Sequence, residues 1–287
     1  MIGIYLLLVI ASVLLGGSFV VVKDATLVVS PINLAFIRFL FASPIMLTLL
    51  LVYKKPKRVA IRDLGWVALL GLTGVTLLYL LQYTGIYLTN ASNASVLINT
   101  NVLFIAILST IFLKEKISVK RALGIATAFF GVFIVTAGYS FSINGGELFG
   151  SLLVVLSAFC WAVYSIVGKH LMRRYDDFTL NTYAFVLGTL FFLPFLDLNQ
   201  MENLLLVDFS KVWFSIFYLS ILCSAFGYTV WYYGLSKMDA SKTAVFLNLI
   251  PLSAILFSVF FLHEVLTIQF IIGALLILSG VYITQKG

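Results

Sequence analysis

Two stretches of the chain, YLLQYTGIYLTNASNASVLIN (79–99) and YTVWYYGLSKMDASKTAVFLN (228–248), align without a gap when one is shifted by 149 residues. The alignment continues toward the C-terminus, to Ile134 in the first copy and Ile283 in the second. The chain is therefore an internal duplication, and two related halves are expected in its fold. The identical pairs include Tyr79 and Tyr228, Gly85 and Gly234, Asn99 and Asn248, Glu115 and Glu264, Gly124 and Gly273, and Gly131 and Gly280.

The composition is that of an integral membrane protein. Mean hydropathy is +1.12, 62% of the residues are apolar and 10% are charged, whereas soluble domains have roughly 25% charged residues. Apolar runs of about 20 residues, long enough to cross a bilayer, recur without the alternation that barrel strands show. The ten predicted spans lie near residues 3–22, 32–52, 65–88, 94–113, 120–138, 148–168, 179–198, 212–235, 243–262 and 267–285.

The predicted fold is therefore all-α, with ten transmembrane helices arranged as two inverted five-helix repeats around a central cavity. The first repeat is assigned to residues 1–138, the second to 148–287, and an extracytoplasmic linker to 139–147. Each repeat has an odd number of spans, so the second must lie upside down relative to the first. Inverted repeats with a site between them are typical of secondary transporters.

The distribution of basic residues predicts the orientation, because Lys and Arg are retained on the cytoplasmic side. With the N-terminus inside, the cytoplasmic connections and the tail hold all 18 basic residues except Lys23, Arg38 and Lys211. Both termini are therefore predicted to be cytoplasmic. The first span does not have the features of a cleaved signal peptide, and no transit segment is evident, which favours a prokaryotic plasma membrane.

Several other classes of function are disfavoured. The net charge of +7 is spread over short loops, where it meets anionic lipid, so nucleic-acid binding is not expected. Cys160 and Cys223 both lie in predicted spans and support neither a disulfide nor a metal site. Without a carboxylate cluster or a nucleophile–base pair, no cofactor is expected, and an enzyme acting on lipid-linked substrates is only the alternative class. A channel stays open, since polar helix faces also line pores.

A set of short motifs in a fixed order points to a known family. They are Gly16-Gly17-Ser18-Phe19 followed by Lys23, Arg38-Phe39, Trp161-Ala162-Val163-Tyr164, Pro251, and the matching endings Leu113-Lys114-Glu115 and Leu262-His263-Glu264. With the repeated glycine spacing, these motifs resemble the drug/metabolite transporter superfamily and its ten-helix EamA-type members, over essentially the whole chain. The resemblance implies an exporter of amino acids or other small metabolites, with a central cavity among the first, third, fourth, sixth, eighth and ninth helices.

Two positions depart from the family pattern. Leu15 replaces the tryptophan that usually precedes the first-helix glycine, and Val102 replaces the proline of the fourth helix. The sequence therefore does not predict, in the first half, the helix break that such a proline produces.

Polar side chains inside the spans give the candidate site, because an unpaired polar group in hydrocarbon costs roughly 2–7 kcal/mol. Such groups are expected to face protein or a water-filled cavity. In the third and eighth helices, polar and aromatic residues follow the i, i+3, i+4 spacing of one helical face. Helix–helix hydrogen bonding is the alternative role. The candidate substrate-binding residues are Tyr79, Gln82, Tyr83, Asn99, Asn101, Trp161, Tyr164, Tyr228, Trp231, Tyr232 and Asn248.

The charges within the spans restrict the substrate. No Asp or Glu lies in the middle of a span, and Arg38 is the only charge clearly inside one. Arg38 is expected to extend outward or to pair with backbone carbonyls, with binding of a substrate carboxylate as the alternative. Glu115 and Glu264 are expected to interact with the N-terminal dipole of the next helix.

Neutral or zwitterionic solutes, with amino acids first, therefore fit best. The predicted mechanism is alternating access between the two halves. The expected partners are a small-molecule substrate and membrane lipid, without nucleic acid or an obligatory protein partner.

Overall fold

The computed structural model describes residues 2–53, 58–113, 118–140, 145–196 and 209–286. Throughout these ranges the regular structure is helical and no strand is present, so the predicted all-α fold is confirmed. Of the predicted linker, residues 139–140 end one helix and 145–147 begin the next, while 141–144 lie outside the described residues.

Ten helical stretches match the ten predicted spans in position. In chain order they are α1 (Ile2–Ala25), α2 (Pro31–Tyr53), α3 (Leu64–Gly71, Leu72–Thr76 and Leu77–Leu88), α4 (Ala91–Ile98 and Asn101–Leu113), α5 (Val119–Ser140), α6 (Gly145–Leu171), α7 (Asp177–Phe191), α8 (Phe209–Phe217, Tyr218–Tyr228 and Thr229–Lys237), α9 (Ala240–Ala244, Val245–Asn248 and Leu249–Phe261) and α10 (Ile268–Lys286).

Seven of these stretches are long and apolar enough to cross a membrane, as judged over the described part of the chain. The apolar parts of α9 and α10 are shorter, at Phe246–Phe261 and Ile268–Gly280. The predicted count of ten is therefore matched by ten helical stretches, although length and composition by themselves support seven spans.

Interruptions of helical geometry recur at corresponding places in the two halves. In α3 the segment Leu72–Thr76 is π-helical, and in α8 the π-helical segment is Tyr218–Tyr228. The fourth helix of each half is also interrupted, α4 between Ile98 and Asn101 and α9 by a 3₁₀ turn at Val245–Asn248. The break in α4 forms although no proline is present there, so the absence of a proline at Val102 does not keep α4 continuous.

Contacts between the halves follow the same duplication. The hydroxyls of Tyr79 and Tyr228, which are repeat mates, hydrogen-bond at 2.8 Å. The amides of Asn99 and Asn248, also mates, hydrogen-bond at 2.9 Å. A residue can contact its own mate only near the axis that relates the two halves. These pairs therefore place the polar residues of α3, α4, α8 and α9 at the centre of the molecule.

A lysine binds the C-terminal carbonyls of the third helix in each half. Lys23 Nζ donates to the carbonyls of Ile86 at 3.1 Å, Tyr87 at 3.0 Å and Thr89 at 2.5 Å. Lys169 Nζ donates to the corresponding carbonyls of Leu235 at 2.6 Å and Met238 at 2.5 Å. Free carbonyls and the negative end of the helix dipole favour a cation at this position. The two contacts identify the opposite ends of the bundle, which are called the Lys23 end and the Lys169 end below.

A carboxylate joins the two halves at the Lys23 end. Glu264, after α9, accepts hydrogen bonds from the backbone N–H groups of Ala91 at 2.8 Å and Ser92 at 3.0 Å, at the start of α4. Glu264 therefore interacts with a helix N-terminus as expected, but with that of α4 in the other half rather than the next helix in sequence. The same prediction for Glu115 falls outside the described residues.

A second carboxylate joins the halves at the Lys169 end. Asp63, at the start of α3, is buried and pairs with Arg174 at 2.9 Å. It also accepts a hydrogen bond at 2.8 Å from the hydroxyl of Tyr175. Both partners belong to the connection between α6 and α7, in the second half. The halves are thus joined at both ends of the bundle in this conformation.

Candidate functional site

A small cavity lies between the halves near the centre of the bundle. Its volume is about 40 Å³, enough for water, since one water molecule requires about 10–15 Å³ of such space. Helices α1, α3, α4, α6 and α9 contribute its walls. The lining residues are Leu15, Ser18, Phe19, Leu78, Tyr79, Gln82, Ile98, Asn101, Trp161, Leu247 and Ile250.

Two polar atoms among these lining residues have no hydrogen-bond partner. They are the amide oxygen of Asn101, an acceptor, and the indole Nε1–H of Trp161, a donor. Both residues are buried, at 3% and 6% exposure. Buried polar groups are nearly always hydrogen-bonded, so an unpaired donor and an unpaired acceptor at one cavity require an explanation. Both atoms are covered by protein in this conformation, so a polar solute or water would satisfy them only after these side chains turn toward the cavity.

The predicted polar face of α3 divides between two environments. Tyr79 and Gln82 line the cavity, as the prediction for this face requires. Tyr83 does not line it, and its hydroxyl accepts a hydrogen bond from Arg38 at 2.7 Å. Adjacent residues are about 100° apart around an α-helix of 3.6 residues per turn, so Gln82 and Tyr83 flank Tyr79 on opposite sides.

The corresponding face of α8 does not line the cavity. Instead its rings pack with those of Trp161 and Tyr164 of α6, at 4.8–5.7 Å between centroids. These rings are called the aromatic cluster below: Trp161, Tyr164, Tyr228, Trp231 and Tyr232. Such centroid distances are typical of favourable aromatic pairs. The aromatic cluster adjoins the cavity through Trp161, which belongs to both.

Except for Trp161 Nε1, hydrogen bonds fix the polar atoms of the aromatic cluster. Tyr228 donates to the carbonyl of Gly74 at 2.8 Å, and Tyr164 donates to Asn181 at 2.8 Å. Trp231 Nε1 donates to Ser165 at 3.3 Å. Tyr164, Tyr228 and Trp231 are thus hydrogen-bonded without a ligand, as the alternative role in helix–helix packing requires.

Asn99 and Asn248 also lie outside the cavity lining. Their mutual hydrogen bond joins α4 and α9 where each helix is interrupted. Of the eleven candidate residues, Tyr79, Gln82, Asn101 and Trp161 line the cavity. The participation of all eleven in substrate binding stays a prediction.

The expectation that Arg38 extends outward or pairs with backbone carbonyls is wrong. Its side chain is 1% exposed and points into the bundle. Its Nε donates to Ser224 at 2.6 Å, and its Nη1 donates to Tyr83. The depth of a residue in a span does not show which side of the helix it occupies, and the serine that binds Arg38 lies far away in sequence, in α8.

Sequence reasoning also missed Asp63 as a contact between the halves. Its partners lie in the connection between α6 and α7. The one available signal is an acidic residue among basic ones next to a span. Ser18 is not among the candidate residues, although it lines the cavity.

A bundle of membrane-spanning helices around a central, mainly apolar cavity with a few polar groups defines a multi-pass membrane protein of the carrier or channel class. The EamA-like transporter family matches this chain over residues 2–137 and 148–285. The chain belongs to the EamA-like transporter family and is a membrane transporter.

Curated relatives are similar over nearly their whole length. An uncharacterized transporter of Archaeoglobus fulgidus is 35% identical over 281 residues, covering 98% of this chain and 96% of the relative. The uncharacterized transporter YyaM of Bacillus subtilis is 29% identical, covering 99% and 94%. These names point to a transporter family rather than an enzyme family.

One crystal structure has a similar fold, with a TM-score of 0.68 at 17% sequence identity, covering 96% of this chain and 94% of the other. At this identity the similarity concerns the fold alone.

Proposed function

We propose that the protein is a secondary transporter that moves small neutral or zwitterionic metabolites, with amino acids as the leading class, by alternating access between its two halves. The observation that carries the proposal is the unpaired donor of Trp161 and the unpaired acceptor of Asn101 at one central cavity. A solute with both donors and acceptors is complementary to this pair.

The rest of the cavity lining supports the same substrate class. Leu15, Phe19, Leu78 and Ile98 give apolar walls, and Gln82 adds an amide. Small-molecule sites commonly combine apolar walls with a few placed polar groups. No carboxylate is among the lining residues, so cationic drugs have no counter-charge there.

The size of the cavity supports a conformational change. Ligand sites usually measure about 300–1,000 Å³, and this cavity is about 40 Å³. Glu264 and Asp63 hold the halves together at both ends. In the proposed cycle, release of one contact widens the cavity toward that end, and release of the other opens it to the opposite side.

The proposed orientation places both termini in the cytoplasm of a cell whose plasma membrane holds the protein. The Lys169 end is then cytoplasmic and the Lys23 end extracellular, in agreement with the distribution of basic residues. The expected partners are the solute and lipid, without nucleic acid or an obligatory protein partner.

Counterflow in proteoliposomes tests the proposal. Vesicles are preloaded with unlabelled neutral amino acids, and entry of radiolabelled ones is followed for the wild type, Gln82→Ala and Trp231→Ala. Gln82 lines the cavity, and Trp231 packs against Trp161 at 5.5 Å between ring centroids. Each substitution is expected to reduce saturable counterflow at least about tenfold, equivalent to roughly 1.4 kcal/mol in binding.

Matched controls separate site effects from general damage. Gln269→Ala and Trp66→Ala make the same chemical changes at exposed positions of α10 and α3, and both are expected to keep wild-type counterflow. Equal loss in the controls would contradict the assignment of the site. Uptake without saturation or counterflow would favour a channel, and absence of uptake across the panel would move the search to other metabolites, drugs or lipid-linked substrates.

A further inference from the structure

Arg38 has an incomplete set of partners although it is fully buried. Its Nε and Nη1 donate to the hydroxyls of Ser224 and Tyr83. Its Nη2 has no hydrogen-bond partner. A guanidinium carries five N–H donors in a planar fork that matches a carboxylate, so part of this fork is free.

The positive charge of Arg38 is also uncompensated. Within the described ranges, no carboxylate lies within ion-pair distance of its guanidinium, and the ion pair Arg174–Asp63 lies at the Lys169 end. The near neighbours of Arg38 are hydroxyls and aromatic rings, with Tyr79 at 4.3 Å and Phe39 at 5.3 Å from the guanidinium carbon to the ring centroids. Hydroxyls and ring faces stabilise a cation less than an anion does, and a buried cation is normally paired.

A second free polar group lies on the helix segment that contacts Arg38. Ser220 is 1% exposed, and its hydroxyl has no partner. Ser220 and Ser224 are four residues apart in the π-helical segment Tyr218–Tyr228 of α8, close to the same face of the helix. Segments of π-helix occur frequently at functional sites. An unpaired hydroxyl and an unpaired guanidinium nitrogen are thus associated with one segment of α8.

Tyr79 connects Arg38 with the cavity. The ring of Tyr79 lies against the guanidinium of Arg38 and also forms part of the cavity wall. One side chain is therefore shared by the guanidinium contact and the cavity wall. In the present conformation, the hydrogen bond between Tyr79 and Tyr228 holds the ring in place.

We propose that Arg38 binds a carboxylate group of the transported solute when Tyr79 moves aside, with Ser220 as a further donor. The substrates are then zwitterionic amino acids or other monocarboxylates rather than fully neutral solutes. The inference rests on the proposed transport function and deepens it, because it states which chemical group of the solute is recognised and by which residue.

Thermal unfolding of the purified protein tests the inference without relying on transport. Wild type is titrated with neutral L-amino acids and with the corresponding carboxamides, which keep the amine and side chain but lack the charged carboxylate. The acids are expected to raise the unfolding temperature at concentrations at least about tenfold lower than the amides, since a charge-assisted hydrogen bond is lost in the amides. This comparison does not depend on the folding of any variant.

The variants Arg38→Gln and Ser220→Ala are titrated in the same way, with Arg58→Gln, at an exposed position, as the control. Arg38→Gln is expected to remove the preference for acids, Ser220→Ala to reduce it, and Arg58→Gln to keep it. Equal stabilisation by acids and amides in the wild type, or a preference that persists in Arg38→Gln, would overturn the inference.

Counterflow with the same two ligand series separates the two proposals. If both acids and amides exchange equally well, the carrier function stands and the role of Arg38 is overturned. If neither exchanges while acid-specific stabilisation depends on Arg38, the amino-acid transport proposal fails and the carboxylate site stands.

Discussion

Replacement of Gly280 by leucine is expected to abolish accumulation of folded protein. Gly280 lies where α10 packs on α5, and a Cβ at this position would be 2.5 Å from the carbonyl oxygen of Gly124 and in steric conflict with the backbone nitrogen of Ala128. Backbone atoms cannot move aside as flexible side chains do, so the helices would separate. The equivalent glycine of the first half, Gly131, is packed in the same way, since a Cβ there would be 2.8 Å from the carbonyl oxygen of Gly273.

The expected loss of stability follows from the loss of close packing between α5 and α10. Small residues allow membrane helices to approach closely, and their association depends on this packing. Overpacking of a well-packed core typically costs about 1–3 kcal/mol and sometimes more, and a clash with backbone belongs at the upper end. The measurement is the yield of monodisperse protein in size-exclusion chromatography, together with its unfolding temperature.

Gly65→Leu is the matched control for Gly280→Leu. Gly65 lies in α3, and a Cβ there would have no atom within 4 Å. The control is expected to accumulate like wild type. Normal yield and stability of Gly280→Leu would contradict the close packing of α5 against α10.

Removal of the charge of Glu264 or Asp63 is expected to shift the conformational balance in opposite directions. Glu264→Gln weakens the contact with Ala91 and Ser92 at the Lys23 end. Asp63→Asn weakens the contact with Arg174 and Tyr175 at the Lys169 end. Hydrogen bonds to charged groups stabilise the closed contact at each end, so each change is expected to raise the fraction of molecules open at its own end, by less for Asp63→Asn because Arg174 is half exposed.

Alkylation of a cysteine in the cavity measures this shift. Ser18→Cys places a thiol at the cavity wall, in a background in which the buried Cys160 and Cys223 are replaced by alanine. A membrane-impermeant maleimide is applied to each side separately. Glu264→Gln is expected to accelerate labelling from the Lys23 end, and Asp63→Asn from the Lys169 end. Acceleration from the same side in both variants would contradict the assignment of the two contacts.

The duplicated fold was predictable because equivalent positions of the two halves keep identical residues. Some of these residues contact each other across the halves. Tyr79 and Tyr228, and Asn99 and Asn248, occupy equivalent positions and meet near the axis between the halves. Apolar runs predicted the all-helical architecture, since hydrocarbon requires that backbone groups be paired within each span. The break in α4 was not predictable from a proline, because none is present there.

The candidate site was only partly predictable. Tyr79 and Gln82 lie at the cavity wall. Helical spacing cannot decide on which side of Tyr79 the cavity lies, and Tyr83 contacts Arg38 instead. The inward position of Arg38 depends on Ser224 in the other half. Such contacts arise from the packing of distant segments, which spacing within a single helix does not specify.

The central claim is that one site between two halves opens alternately to the two sides of the membrane. Double electron–electron resonance on spin-labelled pairs in proteoliposomes tests it most directly. The exposed positions Tyr87 and Val265 report on the Lys23 end, and Ile61 and Lys237 report on the Lys169 end. Addition of a transported solute is expected to lengthen the distances at one end and shorten them at the other. Unchanged distances at both ends under every substrate condition, or lengthening at both ends together, would contradict alternating access.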